Sequence, residues 1–317
     1  MQPQAILPPF FHDLLQGCRD HVYRNQPPVL AGMGLFHCHQ PQALRAVPLH
    51  QPSLVLVLNG TKRIYWRGER TDCHVGDLLL FPAMSEVQLE NIPDPAQSEY
   101  LALCVSFAPD TVSRFTTAFG GNSQPRNELL RAPAPDAVLQ SLLQRLQWTD
   151  TGGNAEWWLE LRQQELLAHC AQQGWLGYLV REQGPSAAQR IASLLATDCA
   201  RNWRITDACT ALAMSESTLR RELQRENTGF REILEQVRLT HALGLLQGSR
   251  RNIAEIAGMV GYDSPSRFAA RFRQRFGMSP GEVKQSRERA TERLTDGLTD
   301  SGANLTESGA TNLVAQH

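Results

Sequence analysis

Phe268, Phe272 and Phe276 recur every four residues inside "SPSRFAARFRQRFG", residues 264–277. Residues four apart share one face of an α-helix. Ser264 is a good N-cap, and Pro265 then stands at the first helical position, where its missing N–H costs nothing. Gly277 offers the left-handed residue that ends such a helix. The stretch therefore predicts a helix over 265–276 with the phenylalanines as its core stripe. Arg267, Ala270 and Gln274 point away from that stripe, and Ser266, Arg271 and Arg273 lie on its flanks. No acid occurs from 264 to 277.

The same unit occurs earlier in the chain. "TDACTALAMSESTLRRELQRENTGF" predicts a helix over roughly 206–213, a turn at Ala213-Met214 and a second helix capped by Ser215. Leu219 and Leu223 correspond to Phe268 and Phe272 at a common offset of 49 residues, and Ser217 corresponds to Ser266. Arg221 points opposite the leucine stripe and Arg220 lies on its flank. Upstream of the second unit, "NIAEIAGMVGY" reads as an amphipathic helix ending in a Gly261 turn. "REILEQVRLTHALGLLQ" between the units predicts a long helix with Ile233, Val237, Leu245 and Leu246 for packing. Two helices joined by a short turn, the second basic and outward-facing, make a helix-turn-helix.

Charge divides along the same line. The whole chain of 317 residues has a net charge of −1, but residues 185–290 carry 17 basic and 11 acidic side chains, whereas 1–184 carry 13 and 17. That asymmetry points to a polyanion-binding module tied to a more acidic remainder. No apolar run reaches membrane-spanning length. The start, "MQPQAILPPFFHD", lacks a basic segment followed by a long apolar core, which argues against a secretory signal. Seven scattered cysteines without CxxC pairs read as reduced thiols in a cytoplasmic protein.

Residues 1–130 read as β-rich. "SLVLVLNGTKRIYWRGE" places Asn59-Gly60 between an apolar and an aromatic run, a hairpin signal. "LALCVSF" alternates Leu101, Leu103, Val105 and Phe107 with Ala102, Cys104 and Ser106, as a half-buried strand does. Many short strands predict a sandwich or small barrel. Helical spacing takes over near 136, with Leu139, Leu142, Leu143 and Leu146 on one face, and a second helix follows through "NAEWWLELRQQELLAHCAQ". The composition predicts a linker at 182–188 and a disordered tail over 291–317.

Two helix-turn-helix units bridged by "RLTHALGLL", with "IAEIAGMVGYDSPSRFAARFRQRFGMSP" as the second, resemble the DNA-binding domain of the AraC/XylS family of bacterial transcription regulators. The resemblance covers 188–288. Ala213 stands where the first turn usually has glycine, and Cys209 where a helix alanine is usual; both are small enough to keep the fold. The resemblance implies a two-domain chain. Residues 1–130 would form a cupin-like regulatory barrel, with appended helices and a linker over 131–184 serving dimerisation. Residues 185–290 would form the all-α DNA-binding domain, before the tail at 291–317. Each recognition helix would enter a major groove, the two grooves about one helical turn, ~34–36 Å, apart. Carried over by position, the base-reading candidates are Ser217, Arg220 and Arg221, and Ser266, Arg267, Ala269 and Ala270. Gln224, Arg271 and Arg273 complete the DNA-facing set. Arg273, Arg275 and Arg238 read as contacts to the DNA backbone or as structural charges. Arginine pairs bidentately with guanine, and alanine contacts a thymine methyl. The partners implied are double-stranded promoter DNA, a second copy of the chain, RNA polymerase and a small-molecule effector, with no membrane.

The front half weakly resembles a cupin. "GDLLLFPAMSEV" keeps Gly76 and Pro82 but has Met84 where glycine is usual and Val87 where a metal-binding histidine would stand. "HCH" at 37–39 imitates a His-x-His pair without the acidic ligand expected after it; His50, Cys73 and His74 are the remaining candidate ligands. No metal and no cofactor are expected, and an apolar pocket inside the barrel is the expected effector site; Tyr65 and Trp66 are candidates to border it, with core packing the preferred reading of each. Three alternatives stay open at this point. One is a cupin-type metalloenzyme. Another is an alkyl-transfer repair protein fused to a DNA-binding module, for which Cys38 is the contextual nucleophile. The third is a nucleoid-type binder without sequence preference.

Overall fold

A computed structural model describes residues 7–23, 32–83, 85–119, 123–147, 155–180 and 185–288. The predicted tail and Met84 lie outside these residues, as do positions 182–184 of the predicted linker. The chain opens with helix α1 (Pro9–Tyr23), followed by eight strands: β1 (Met33–Cys38), β2 (Gln42–Leu49), β3 (Ser53–Asn59), β4 (Thr61–Trp66), β5 (Glu69–Cys73), β6 (Asp77–Phe81), β7 (Ser85–Ile92) and β8 (Tyr100–Ser106). Helix α2 (Pro109–Phe119), strand β9 (Leu130–Pro133) and helices α3 (Asp136–Gln147) and α4 (Ala155–Gln172) complete the first half. Seven helices make the second half: α5 (Ala187–Ala196), α6 (Ile205–Ala211), α7 (Glu216–Arg225), α8 (Phe230–Gly248), α9 (Ile253–Met259), α10 (Pro265–Phe276) and α11 (Pro280–Gln285).

The strands form two antiparallel sheets that face one another like the walls of a flattened barrel, in the orders β1-β8-β3-β6-β9 and β2-β7-β4-β5. Inward residues of both sheets, among them Val55, Val57, Ile64, Leu79, Val87 and Ala102, pack together. The opposite face of the first sheet carries Leu54, Leu56, Leu101, Leu103 and Val105 against Phe11 and Leu14 of α1 and the leucines of α3. β8 is thus covered on both faces, and the alternation in "LALCVSF" sorts side chains between two cores rather than between core and water.

The hairpin expected at Asn59-Gly60 is not one. β3 pairs with β6 and β8, and β4 with β5 and β7, so the turn carries the chain from one sheet to the other. The seven residues of β3 are all buried and both its edges are occupied, which leaves no edge for β4. Gly60, at φ 78°, lets the corner pass under the Ile92 carbonyl. The true hairpin lies one turn later, where Arg67 and Gly68, both at positive φ, join β4 to β5.

In the second half, α6–α7 and α9–α10 are the two helix-turn-helix units, and α8 bridges them. The local signals at α10 act as read: Ser264 caps it, Pro265 opens it and Gly277 closes it at φ 80°. Phe268, Phe272 and Phe276 are buried, as are Leu219 and Leu223 at the equivalent positions of α7. The core of these helices is continuous with the interior of the two sheets, because α8 packs on β1 and α10 on β2.

Candidate nucleic-acid helices and an interdomain cavity

On α7, Ser217, Arg220, Arg221 and Gln224 are all exposed, with Arg221 directly opposite the Leu219–Leu223 stripe and Arg220 on its flank. Ser217 Oγ lies 3.0 Å from the capping Ser215 hydroxyl, which fixes the first turn. Arg220 donates to Glu216 at 2.8 and 2.6 Å, one turn back, so its guanidinium is already partnered. On α10, Ser266, Arg267, Ala270, Arg271 and Arg273 are exposed, while Ala269 is half-buried. Arg271 leans back toward Glu235 of α8, at 3.4 Å.

Two arginines read from the sequence as backbone or structural charges have specific partners. Arg238 donates to the Cys199 carbonyl at 2.9 Å and to the Arg201 carbonyl at 3.0 Å. Its guanidinium also packs on Gly261, where φ is 78° and a Cβ would sit 2.8 Å from the Ala200 carbonyl, so the turn of the second unit strongly favours glycine. Arg275 reaches out of the helical domain to Glu86 of β7 at 2.5 Å. The first unit's turn residue, Ala213, adopts φ 51°, a left-handed conformation that an alanine takes at a cost of about 1 kcal/mol.

The candidate metal and nucleophile residues take structural roles. His37 is buried 3.4 Å from Glu99, which also receives Arg19, Tyr23 and Asn59. His39 is edge-on to His37 with its Nδ1 2.6 Å from the Ser98 carbonyl. Among the described residues no three His, Cys, Asp or Glu side chains are grouped as a metal would need. Cys38 is fully buried and its thiol is pushed up to about 12 by desolvation, the opposite of an activated nucleophile. All seven cysteines are free.

A cavity of about 570 Å³ lies between the two sheets' open side and helices α5 and α8, rather than within the strands alone. Tyr65 and Trp66 are not among its lining residues; Tyr65 bonds Glu90 and Trp66 stacks under Arg67. Its walls are apolar: Phe36, Leu44, Val87 and Leu89 from the strands face Val237 and Leu243 from α8. Among the described lining residues there is one fixed cation, Lys62, and no Asp, Glu or Arg. Lys62 is 2% exposed, donates to Asn91 Oδ1 at 2.8 Å, and lies 5.5 Å from the centre of the Phe36 ring. Desolvation pulls its ammonium down to about 8. Elsewhere in the wall, His50 Nε2 and Thr240 Oγ1 are buried with no hydrogen-bond partner among the described residues. Lys62 went unread in the sequence, although it shares the inward phase of β4 with buried Ile64.

Comparison with known proteins matches both halves. The model of the AraC-type transcriptional regulator N-terminus fits residues 29–174, and a helix-turn-helix domain model fits 208–286. The transcriptional activator PerA of Escherichia coli O127:H6 is 32% identical over 95 residues, 30% of this chain and 35% of its own length. The regulator YdeO of Shigella flexneri is 37% identical over 102 residues, 32% of this chain and 39% of its own. The chain thus matches little more than a third of these relatives' lengths. Unsaturated-fatty-acid-bound ToxT of Vibrio cholerae, 15% identical, shares the two-domain fold over 81% of this chain and 97% of its own, with a TM-score of 0.55. With an AraC-type regulator model on residues 29–174 and a helix-turn-helix domain model on 208–286, the chain belongs to the AraC/XylS family of transcriptional regulators.

Proposed function

We propose that this protein regulates transcription by binding specific promoter sequences through α7 and α10, under the control of an apolar carboxylic acid held between its two halves. The observation that carries the first part is the pair of matched helices, each with a buried stripe on one side and exposed arginines on the other. The named relatives are transcriptional regulators, which supports the same reading and gives no support to an enzyme. Of the candidates, Arg221 and Arg267 suit base reading best, because both are exposed and neither is engaged by an acid one turn away as Arg220 is.

The effector reading rests on the cavity. An apolar space with one buried ammonium and, among the described lining residues, no carboxylate is complementary to a fatty acid, whose head would supply a counter-charge to Lys62. That ToxT is known with an unsaturated fatty acid bound supports the choice of ligand class. Dimerisation is the third element. Trp157, Trp158 and Leu161 of α4 are exposed, and Phe119 of α2 is 72% exposed. α2 and α4 are tied together through Glu160, which accepts from Thr111 and Arg114. An exposed aromatic surface of this kind suits a second copy of the chain.

The test is selection of duplexes by the full-length protein from a random pool, followed by binding at physiological salt. The selected duplex should bind at least 10³-fold tighter than its scrambled version. Equal affinities would reject specific recognition.

A further inference from the structure

The ammonium of Lys62 is the first member of a buried hydrogen-bond chain that ends in the DNA-binding domain. Lys62 donates to Asn91 Oδ1 at 2.8 Å. Asn91 Nδ2 donates to Gln42 Oε1 at 3.1 Å, and Gln42 Nε2 donates to Ser286 Oγ at 2.8 Å. Ser286 Oγ in turn donates to the Val283 carbonyl at 2.6 Å, inside α11. A branch enters at Gln42, whose Oε1 also accepts from Gln247 Nε2 of α8 at 2.8 Å. Lys62, Asn91, Gln42, Gln247 and Ser286 are each no more than 3% exposed.

Every bond in the main line runs the same way, and Lys62 sets that direction. An ammonium has donors only, so Asn91 must turn its oxygen toward Lys62 and its NH₂ toward Gln42. Gln42 then presents its oxygen to Asn91 and Gln247, and its own NH₂ to Ser286. A buried network of this kind is strong when every member is satisfied and costly when one is not. Ser286 is also where the second helix-turn-helix unit is held to the sheets, since its carbonyl accepts the backbone N–H of His39 at 2.7 Å and of Gln40 at 3.0 Å.

We infer that the Lys62–Asn91–Gln42–Ser286 chain, with its Gln247 branch, couples the cavity to the seating of the DNA-binding domain. A change in what Lys62 bonds to reorients the amides and loosens the hold on α8 and α11. The inference rests on the effector reading above only for what perturbs Lys62 in nature.

The experiment is a double-mutant cycle on full-length protein, without ligand, with affinity for the selected duplex as the readout. Lys62→Met and Ser286→Ala break opposite ends of the chain. Each should change affinity in the same sense, and together they should change it no further than the larger single effect, a departure from independence of roughly three-fold or more. Hydrogen exchange supplies a second measurement: Lys62→Met should speed exchange of the His39 and Gln40 amides while leaving β3 protected. Asn91→Asp, which keeps an acceptor for Lys62 but loses the donor to Gln42, should reproduce both effects. Effects that multiply to within about two-fold, or unchanged exchange at His39 and Gln40 in both Lys62→Met and Asn91→Asp, would overturn the inference. Oleate titrated into the wild type separates this from the effector reading. If oleate has no effect on DNA affinity while the cycle remains non-additive, the fatty-acid reading fails and the coupling chain stands.

Discussion

At the scale of single residues, two exposed arginines differ in where their helices place them. Arg221 projects directly away from the buried Leu219–Leu223 stripe, whereas Arg273 lies on the flank of α10; we propose that the first reads a base edge and the second meets a phosphate. Arg221→Ala should therefore cost about 1–3 kcal/mol on the best duplex and relax preference at one or two base pairs. Arg273→Ala should weaken all duplexes about equally and reduce the salt slope by about one. Binding isotherms on a panel of single-base variants at several salt concentrations distinguish the two; the reverse pattern refutes the assignment. Lys62 carries a prediction in pH. Its titratable neighbours Cys38, Cys73, Cys104 and Tyr100 are all pushed up by burial, so none bears charge near neutrality. With the ammonium held at about 8, oleate affinity measured by calorimetry should be level below pH 7 and fall toward ten-fold per unit above 8. The folding contribution has its own sign. The unfolded chain keeps that proton to about pH 10.4, so this residue adds stability as pH rises from about 8 toward that value.

At the scale of elements, agreement between sequence and structure follows how local the cause is. α10 was legible to the residue because its cap, its Pro265, its phenylalanine stripe and its Gly277 all act within one helix. The Asn59-Gly60 corner misled because a tight turn says that the chain reverses, not which strand it then pairs with; that depends on β6 and β8, many residues away. Ala213 shows a subtler gap. Its small size fits the turn, but the position also demands a left-handed backbone, and size is no guide to that. Ala213→Gly should consequently stabilise the protein by up to about 1 kcal/mol, after the larger unfolded-state entropy of glycine is deducted. Urea denaturation of the two proteins checks it, and a loss of stability would show that the turn carries no strain.

At the scale of the molecule, the parts hardest to read were those assembled from distant segments. Gln42 meets Gln247 and Ser286 across more than 200 positions, and nothing about any one of them announces the other two. The cavity is the same case: its strand and helix walls are each ordinary amphipathic surface until they face each other. The exposed aromatics of α4 were visible in the sequence as "EWWLEL", but only the burial of α3 beneath them shows which helix is left uncovered. If that surface joins two copies, Trp158→Ser with Leu161→Ser should weaken self-association at least ten-fold in sedimentation equilibrium, with the far-ultraviolet spectrum unchanged. A wild-type monomer at high concentration would dismiss the surface as an interface.

Helix α8 belongs to two structures at once. One face supplies Val237, Thr240, Leu243 and Gln247 to the cavity, while its length spans the gap between the two helix-turn-helix units. A substitution on that face therefore touches both the cavity wall and the helix that bridges the two units. On the proposed function, one helix would then answer to two constraints at once, the shape of the ligand and the spacing of the two DNA-facing helices, and neither could drift without the other.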